Sequence, residues 1–533
     1  MNRNQKRILS IFDILGPVMV GPSSNHTAGV LRIGKIARMI LGNEPISIEL
    51  FFYGSLAMVY KDHKSDIGVI AGILGYEIDD PEMINSLEYA KQKKIKIKIN
   101  TNLHSKRNPN TVEVKLISER FSVKITGISI GGGEIIIEKI DEFNVNFNGT
   151  KDILSVFLAK KDFQLIDKIL STLDKKNFSV QSIDGINRKL ILFTLNDNIE
   201  KIELNFLKKT IKNSEIRTIK SLYTYPLQGS SPLFRTIKEM HSIAKKKQVS
   251  LADVVVEYES KRSGFDEVEI RKRVSYIWRV MENSVNEGLF KNNKIITHFI
   301  SGMDAKMVYK SYKENKTISG DILTLAIARA FASYEAKASM IRTVAAPTAG
   351  AVGVLPGVIM TISERFNSDL NSIIDSLLIS AGVGICIANV APVSGAIGGC
   401  QSEVGVASAM AASAAVFLAG GNSDKITNAM ALALINLMGL ACDTISGAPG
   451  IPCMLRNAIG VSNALSSAEM AFAGVKSIIP PDEVIFALRN VQTLLPKELR
   501  DTTLGGVGVT KTAKRLKEEW NKKILKLEKE GDK

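Results

Sequence analysis

Residues 376–402 read SLLISAGVGICIANVAPVSGAIGGCQS, a run without a single charged side chain. By length and apolar character this run is long enough to cross a membrane. It also contains Pro392 and many glycine, alanine and serine residues, which let helices pack closely against one another inside a protein. We therefore predict a buried helical element here and expect no membrane partner.

The helical character continues on both sides of this run. From Pro226 onward, strand patterns fade, and alanine, glycine, serine and leucine dominate long segments with helical spacing. The last segment, residues 511–533, has the mixed charges of a solvated amphipathic helix. We predict that residues 226–533 form an all-α domain.

Strand patterns dominate the first part of the chain, residues 1–148. Apolar and polar residues alternate there with the period of strands that turn one face toward water. The clearest runs are KKIKIKIN (93–100), TVEVKLIS (111–118) and EIIIEKI (134–140). Because residues 24–41 and 65–74 have helical spacing, we predict an α+β domain.

The middle part, residues 149–225, follows the order strand, helix, strand, strand, helix, strand. The segments are ILSVFLA (153–159), DFQLIDKILSTLDKK (162–176), FSVQSI (178–183), KLILFTL (189–195), KIELNFLKKTIK (201–212) and RTIKSLY (217–223). This βαββαβ order is that of the ferredoxin-like fold. We predict a domain of that fold, with the size of a small regulatory module.

Length, composition and charge narrow the class of protein. The 533 residues suffice for three or four domains, and 45% apolar with 23% charged residues is typical of globular chains. The 69 lysines and arginines exceed the 54 acidic residues, but they are spread along the chain. No nucleic-acid partner is therefore expected. The first residues lack the apolar core of a signal peptide, so we expect a cytoplasmic protein.

All four cysteines lie between residues 386 and 453, and no Cys-x-x-Cys pair occurs among them. Cys400, Cys442 and Cys453 lie in or beside glycine- and proline-rich segments, which let thiolates converge on a bulky ligand. Three thiolates can hold a four-iron cluster that leaves one iron open as a Lewis acid. Cys386 lies in an apolar run typical of a small buried residue. Three unrelated core cysteines are the alternative.

Several motifs closely resemble the iron–sulfur-dependent bacterial L-serine dehydratases, also called L-serine ammonia-lyases. They are GPSSNHT (21–27), GISIGGGE (127–134), SGMDAKMVYKSY (301–312), AAPTAGAVGVLPG (345–357), GAIGGCQSEVG (395–405), CDTISGAPGIPCMLRNAIG (442–460) and LGGVGVTKTAKRL (504–516). The chain looks like a fusion of the β-type part (1–148) and the α-type part (226–533) that some relatives carry as separate subunits. The middle part resembles an ACT domain.

The resemblance implies a cofactor, a reaction and a set of ligands. Cys400, Cys442 and Cys453 match the three ligands of the family's [4Fe-4S] cluster, with Cys386 outside the set. Family members dehydrate L-serine at the open iron, and the aminoacrylate product becomes pyruvate and ammonia. The physical reason is that hydroxide is a poor leaving group, whose developing charge a metal stabilises.

Two of the five histidines are candidates for catalysis. Removal of the weakly acidic Cα proton needs a base whose pKa lies near the working pH, which favours histidine. His63 matches the family segment that presents a histidine, and we predict His63 and His26 as the catalytic pair, without assigning the base between them. A merely solvated His63 is the alternative. His104 and His241 are expected at the surface and His298 in the core.

Polar residues in two further segments are predicted to bind the substrate. Ser23, Ser24, Asn25 and Thr27 flank His26 where a helix should begin, and a simple helix cap is their alternative. The second set is Thr348, Gly350, Arg456 and Asn457, for which turn chemistry, an ion pair or a cap are the alternatives. Departures from the family pattern at Ile397 and Pro449 leave the substrate preference open.

Other functions also remain open at this stage. A pyridoxal-phosphate enzyme would need a Schiff-base lysine, and none stands out. A lyase of the same fold for L-threonine or L-cysteine, and a non-catalytic redox sensor, both fit a labile cluster. We expect L-serine as the substrate and a homodimer as the assembly.

Overall fold

The computed structural model describes residues 8–103, 105–159, 163, 178–195, 215–222, 231–293, 303–445, 450–519 and 522. Backbone contacts divide the chain into two compact units. One unit joins Met1–Ser24 with Tyr225–Lys533, and the other is Asn25–Thr224. The three-domain division expected from the sequence stays a prediction.

The described residues contain strands in both units. In chain order they are β1 (Val18–Met19), β2 (Ser47–Tyr53), β3 (Lys96–Asn102), β4 (Thr111–Ile117), β5 (Ser122–Gly131), β6 (Glu134–Ile140), β7 (Phe143–Phe147), β8 (Ile153–Ala159), β9 (Phe178–Asp184), β10 (Arg188–Leu195), β11 (Glu215–Ile219) and β12 (Thr343–Val344). The predicted strands at 111–118 and 134–140 are therefore confirmed within one residue at each end.

The described helices are concentrated in the second half of the chain. The α-helices are Ile11–Ile14, Val30–Leu41, Gly54–Val59, Ser65–Leu74, Ser86–Gln92, Ile237–Lys247, Leu251–Ser263, Glu267–Phe290, Asp304–Lys313, Asp321–Ala338, Val354–Arg365, Leu370–Ala388, Gly395–Gly398, Val406–Leu418, Ser423–Leu437, Cys453–Ala473 and Pro481–Leu494. Short 3₁₀ turns cover Pro81–Asn85, Ala349–Ala351, Lys497–Leu499 and Gly506–Val509. Residues 511–519 of the predicted C-terminal helix are helical.

The unit Asn25–Thr224 contains a six-stranded mixed sheet with the order β3-β2-β4-β5-β6-β7. Strand β2 alternates between buried and half-buried residues, as its sequence period predicts. It pairs parallel with β3, because three α-helices connect these strands, while the strands joined by short turns pair antiparallel. The N-terminal region is thus an α/β structure, and its mixed sheet refines the predicted α+β class.

A second sheet of the same unit has the order β11-β8-β10-β9, with every pairing antiparallel. The two predicted helices of this part, at 162–176 and 201–212, lie outside the described residues except for Phe163. The last strand ends at Ile219 and not at Tyr223. The reason is a long-range contact, because the backbone N–H of Ser221 donates to Asp152 Oδ1 at 2.7 Å and is not available for strand pairing.

A buried carboxylate links the strands of the mixed sheet. Glu113 on β4 accepts hydrogen bonds from Tyr53 at 2.7 Å and Thr126 at 3.2 Å, and it pairs with Lys124 at 3.0 Å. Arg107 donates to the same carboxylate at 2.5 Å. Burial alone would raise the pKa of Glu113, but the hydrogen bonds from Arg107, Tyr53 and Lys124 outweigh it and lower the pKa to about 2.

We expect Glu113→Gln to destabilise the protein in a pH-dependent way. A lowered carboxyl pKa contributes stability that is complete above the ordinary value of 4.5 and is lost as the pH falls toward 2. Because Arg107 and Lys124 are nearly half exposed, we expect a loss of about 2 kcal/mol in unfolding free energy at pH 7. Urea denaturation at pH 7 and pH 3 measures it. The exposed Glu119→Gln is the control, and an equal loss at both pH values contradicts the prediction.

The other unit is mostly helical, as predicted, with one correction. Strand β1 pairs antiparallel with β12, through Val18 and Val344, so the region is not all-α. The small residues allow the close helix contacts expected of them. A Cβ atom on Gly288 would lie 2.1 Å from the carbonyl oxygen of Ala332 on the neighbouring helix. Glycine is therefore required where these two helices cross.

The uncharged run that starts at residue 376 lies in the core of this unit. Its helix ends at Ala388, before Pro392, which could not continue it. Two helices, Leu370–Ala388 and Gln401–Leu418, have the length and composition of membrane spans, but 72% and 89% of their apolar windows are buried inside the protein. The prediction of a buried helical element is confirmed.

A buried carboxylate connects the N-terminal segment to the helix Leu251–Ser263. Glu259 is fully buried on the helix Leu251–Ser263, and its carboxylate accepts hydrogen bonds from Ser10 Oγ and the backbone N–H of Ile11, both at 3.0 Å. Arg262 donates to the same carboxylate at 2.9 Å and is itself 5% exposed. This single carboxylate therefore compensates one buried cation and two donors of the N-terminal segment.

Glu259→Ala is expected to lower the free energy of unfolding by about 3–5 kcal/mol, because it leaves the Arg262 charge buried and unpaired. The matched control is Glu257→Ala on the same helix, whose carboxylate pairs with Lys247 and Lys261 near the surface. We expect it to cost less than about 1 kcal/mol. Denaturation followed by circular dichroism measures both, and similar losses in the two variants contradict the prediction.

Candidate metal centre and histidine pair

Three separate chain segments carry the predicted cysteine ligands. Cys400 immediately precedes a short π-helical segment, Gln401–Gly405. Cys442 lies in an extended link, where its backbone N–H donates to Leu499 O at 2.8 Å. Cys453 is the first residue of the helix Cys453–Ala473. All three thiols are buried and unoxidised.

The sulfur atoms of Cys400 and Cys442 converge with a carboxylate that the sequence analysis did not single out. These two sulfur atoms and a carboxylate oxygen of Glu403 all lie within 4.8 Å of one another. Burial, followed by repulsion from Asp501, raises the pKa of Glu403 to about 8. Glu403 stands three residues after Cys400, close to one helical turn, which is the sequence signal that could have identified it.

The three thiols influence one another's protonation. Hydrogen bonds with Cys400 and Cys442 lower the pKa of Cys453 well below its usual range, and the positive charges of Lys337 and Arg456 add to this effect. Hydrogen bonds with Cys400 and Cys453, together with burial, raise the pKa of Cys442 well above its usual range. One thiolate therefore forms easily while a second is opposed. A cation at this position would stabilise all three as thiolates.

The residues present fit a metal group that prefers soft ligands. Buried thiolates are the donors that iron–sulfur clusters and zinc select. Two buried polar atoms in the same segments, Gln401 Nε2 and Thr444 Oγ1, have no hydrogen-bond partner within the described ranges. Cys386 is different, because it lies on the helix Leu370–Ala388 and packs in the hydrophobic core of the unit. It does not share in the cysteine cluster formed by Cys400, Cys442 and Cys453.

Arg456 lies beside the cysteine cluster. Its Nη1 atom is 3.5 Å from Cys400 Sγ and donates to Ala441 O at 2.7 Å, while Nη2 pairs with Asp443 at 2.6 Å. Burial lowers the pKa of Arg456, but the charges of Cys400 and Asp443 outweigh burial and raise it. The ion pair named as the alternative for Arg456 is present, and the guanidinium also brings positive charge to the cluster.

Thr348 and Asn457 are buried in the same unit, and Gly350 is half-buried there. Thr348 Oγ1 donates to Glu403 Oε1 at 2.7 Å, and a Cβ on Gly350 would meet Glu403 Oε2 at 2.8 Å. Asn457 Nδ2 donates to Gly350 O and Cys453 O, both at 2.9 Å, and its Oδ1 accepts from Gly353 N at 3.0 Å. The Asn457 side chain thus holds backbone segments, while Thr348 orients Glu403.

A fully buried lysine was also missed in the sequence. Lys337 on the helix Asp321–Ala338 donates to Ala349 O at 2.9 Å, and its ammonium lies 3.6 Å from the ring centre of Tyr334. Burial lowers the pKa of Lys337 to about 8, although the charges of Cys453 and Glu403 act in the opposite direction. A charged residue within an otherwise alanine-rich helix face was its only local signal.

The two predicted catalytic histidines are in direct contact within the unit Asn25–Thr224. His26 Nδ1 and His63 Nδ1 are 2.6 Å apart, and the side chains are only 3% and 5% exposed. Asn110 Oδ1 lies 3.1 Å from His26 Nε2 and 2.8 Å from the hydroxyl of Ser55. A merely solvated His63, which was the alternative, is excluded by this burial.

The residues around His26 form a π-helical first turn, Ser24–Gly29, and not a capped α-helix. Such turns are rare and often lie at functional sites. Ser23 is half-buried, and Ser24 Oγ accepts from Ala349 N at 3.4 Å. In the other unit, Ser129 Oγ donates to Asn25 O at 2.7 Å, and Thr27 Oγ1 donates to His63 O at 2.6 Å. Thr27 therefore fixes the backbone of His63.

The remaining predicted residues have simpler surroundings or lie elsewhere. His241 is partly exposed and contacts Ser423 and Asp424, consistent with a surface role. Ile397 is 44% exposed in the short helix Gly395–Gly398. His104, His298 and Pro449 lie outside the described residues.

Comparison with known protein families finds two matches in this chain. Residues 246–508 match the family model described as the serine dehydratase alpha chain, and residues 10–140 match the model of the serine dehydratase beta chain. The predicted fusion of an α-type and a β-type part in one chain is confirmed.

Individual relatives agree with these matches. The chain is 39% identical over 290 residues to the L-serine dehydratase alpha chain of Peptoniphilus asaccharolyticus, which covers 54% of this chain and 99% of the relative. It is 36% identical over 205 residues to the probable L-serine dehydratase beta chain of Bacillus subtilis, covering 38% and 93%. It is 26% identical over 518 residues to an L-serine dehydratase of Haemophilus influenzae, covering 94% and 99%.

Proposed function

The chain belongs to the serine dehydratase family, and on this premise we propose that it converts L-serine to pyruvate and ammonia. The observation that carries the proposal is the convergence of Cys400 and Cys442 with Glu403, with Cys453 hydrogen-bonded to both thiols. The half-buried Arg456 lies 3.5 Å from Cys400 Sγ, and the charge of the fully buried Lys337 also acts on Cys453. Loss of the Cα proton and of the β-hydroxyl from L-serine leaves aminoacrylate, which tautomerises to an imine. Hydrolysis of the imine yields pyruvate and ammonia.

We further propose that Cys400, Cys442 and Cys453 hold a [4Fe-4S] cluster. When bound, the cluster supplies Lewis-acid chemistry for departure of the hydroxyl group. Arg456 and Lys337 balance the negative charge that three thiolates bring into a buried site. Thr348 holds the Glu403 carboxylate in a fixed orientation, while Gly350 and Gly395 leave room for it.

The histidine pair would supply the base. A neutral imidazole takes up the Cα proton, and its contact partner spreads the resulting charge. Burial of both rings keeps water away from the pair. We also propose that the residues predicted from the sequence bind the carboxylate and the ammonium group of L-serine. They are Ser23, Ser24, Asn25, Thr27, Thr348, Gly350, Arg456 and Asn457.

The domain roles follow the same premise. The strand order β11-β8-β10-β9, all antiparallel, supports an ACT-like domain over residues 149–225. The β-type part would then span residues 1–148 and the α-type part residues 226–533. We propose a cytoplasmic homodimer.

The test is an assay on the full chain, purified without oxygen and reconstituted with iron and sulfide. We expect pyruvate from L-serine without added pyridoxal phosphate, measured by coupled oxidation of NADH with lactate dehydrogenase. L-threonine and L-cysteine are offered in parallel, with slower turnover expected. Iron-loaded protein that does not turn over L-serine contradicts the proposal, and faster turnover of either other amino acid reassigns the substrate.

A further inference from the structure

We propose that Asn110 is a positioning residue, which fixes the protons of the histidine pair so that the basic lone pair lies on His63 Nε2. The inference names the atom that would take the Cα proton and therefore rests on the proposed function. It is carried by a chain of short contacts inside the unit Asn25–Thr224. In this series of contacts, Ser55 contacts Asn110, Asn110 contacts His26, and His26 contacts His63.

The contact between the two rings requires a single proton between the facing nitrogens. At 2.6 Å, His26 Nδ1 and His63 Nδ1 are too close for two lone pairs or for two N–H groups to face each other. One nitrogen must therefore donate and the other accept. In a neutral imidazole, the nitrogen opposite an acceptor carries the proton.

Asn110 decides which ring accepts. Its Oδ1 atom is an acceptor only, so His26 Nε2, 3.1 Å away, must be the donor. His26 Nδ1 is then the acceptor in the contact between the rings. Consequently His63 Nδ1 carries the shared proton, and His63 Nε2 has the lone pair. A hydrogen bond from the backbone or a side chain commonly fixes a histidine tautomer in this manner.

The loop that carries Asn110 is held firmly in place. The backbone N–H of Asn110 donates to Asn108 Oδ1 at 2.9 Å, and the carbonyl oxygen of Asn110 accepts from Ser129 N at 3.2 Å. The preceding carbonyl, that of Pro109, accepts from Leu56 N at 3.0 Å. The Ser55 hydroxyl adds a 2.8 Å contact to Oδ1 itself. Asn110 therefore presents its amide oxygen without needing either histidine to hold it.

His63 is positioned through its backbone as well. Its N–H donates to Val59 O at 2.9 Å, and its carbonyl oxygen accepts from Thr27 at 2.6 Å. These contacts fix the Cα position of His63, and the 2.6 Å contact with His26 Nδ1 links its ring to that of His26. A change at Asn110 would then reach His63 through His26 and not directly.

Nitrogen-15 NMR of the full chain, labelled at histidine, reads the tautomers without reference to activity. Variants of single histidines assign the signals. We expect His26 to carry its proton on Nε2 and His63 on Nδ1 in the wild type, and Asn110→Leu to mix the two tautomers of His26. His26 protonated on Nδ1 in the wild type overturns the inference, even if the protein dehydrates L-serine.

Kinetics provide the second readout. Asn110→Leu should lower kcat for L-serine about 10- to 100-fold with little change in KM. Asn110→Asp, which keeps an oxygen acceptor at this position, should retain most of the wild-type kcat. The exposed Asn144→Leu on β7 is the matched control and should behave as wild type. Unchanged kcat in Asn110→Leu, or no rescue by aspartate in a protein with a wild-type melting curve, contradicts a positioning role. If the wild type has no serine dehydratase activity, the NMR result still tests the tautomers.

Discussion

Cys400→Ala is expected to abolish the formation of pyruvate from L-serine, with a loss of at least about 10³-fold in kcat/KM. Lewis-acid stabilisation of a leaving group contributes several kcal/mol, and each 1.36 kcal/mol corresponds to a factor of about ten. Removing one of three thiolates also takes away a ligand of the proposed cluster. We therefore expect the visible absorption and the iron content of the reconstituted protein to fall together with activity.

Cys386→Ala is the matched control for this experiment. The Cys386 side chain is as buried as that of Cys400, but it packs in the hydrophobic core beside the helix Leu370–Ala388, on which it lies. Truncation to alanine leaves a small cavity, which costs about 1 kcal/mol of stability. Iron content and turnover should remain at the wild-type level. A Cys400→Ala protein that keeps its iron and its rate, or a Cys386→Ala protein that loses both while still folded, would refute the ligand assignment.

His63→Ala should lower kcat for L-serine by about 10²–10⁴-fold, the usual contribution of a general base. The iron content should not change, since His63 is not among the three proposed cysteine ligands. This separation of activity from metal content distinguishes a proton-transfer role from a ligand role. The measurement is a steady-state assay with iron analysis of the same sample.

His241→Ala is the control for the loss of an imidazole. His241 is partly exposed and interacts with Ser423 and Asp424 on a neighbouring helix. We expect wild-type kcat and KM for this variant. The role proposed for His63 fails if its alanine variant retains more than a tenth of the wild-type rate. Loss of iron in the same variant would point instead to a disturbed fold.

Local sequence patterns predicted much of the fold. Alternation of apolar residues identified β4 and β6, and helical spacing placed Ser65–Leu74 within its observed bounds. The differences come from contacts between segments that are distant in the chain. β11 ends early because Ser221 turns its N–H to Asp152, 69 residues away, and β2 pairs parallel with β3 across the helices that separate them. Periodicity describes one strand at a time and carries no information about its partner.

Some residues of the candidate site were predicted from the sequence, and others became apparent only in the structure. Residue type and flanking glycine and proline made Cys400, Cys442 and Cys453 candidates, and the family resemblance implied them as the ligand set. The resemblance, together with the need for a base of suitable pKa, led to the prediction of His26 and His63. Sequence patterns did not indicate that Asn110 contacts a histidine 84 residues away. They also did not show that the charge of Lys337 is fully buried in the folded protein.

The sequence by itself determined which side chains are chemically able to act, because thiols, imidazoles and their flanking residues are local properties of the chain. Tertiary structure alone decided which of them share protons and charge. Arg456 is aimed at Cys400 and Asp443, and Asn110 at His26, by packing between segments far apart in sequence. Hydrogen bonds and burial act over a few ångströms in space, so their effect on pKa and tautomer appears only once the chain has folded.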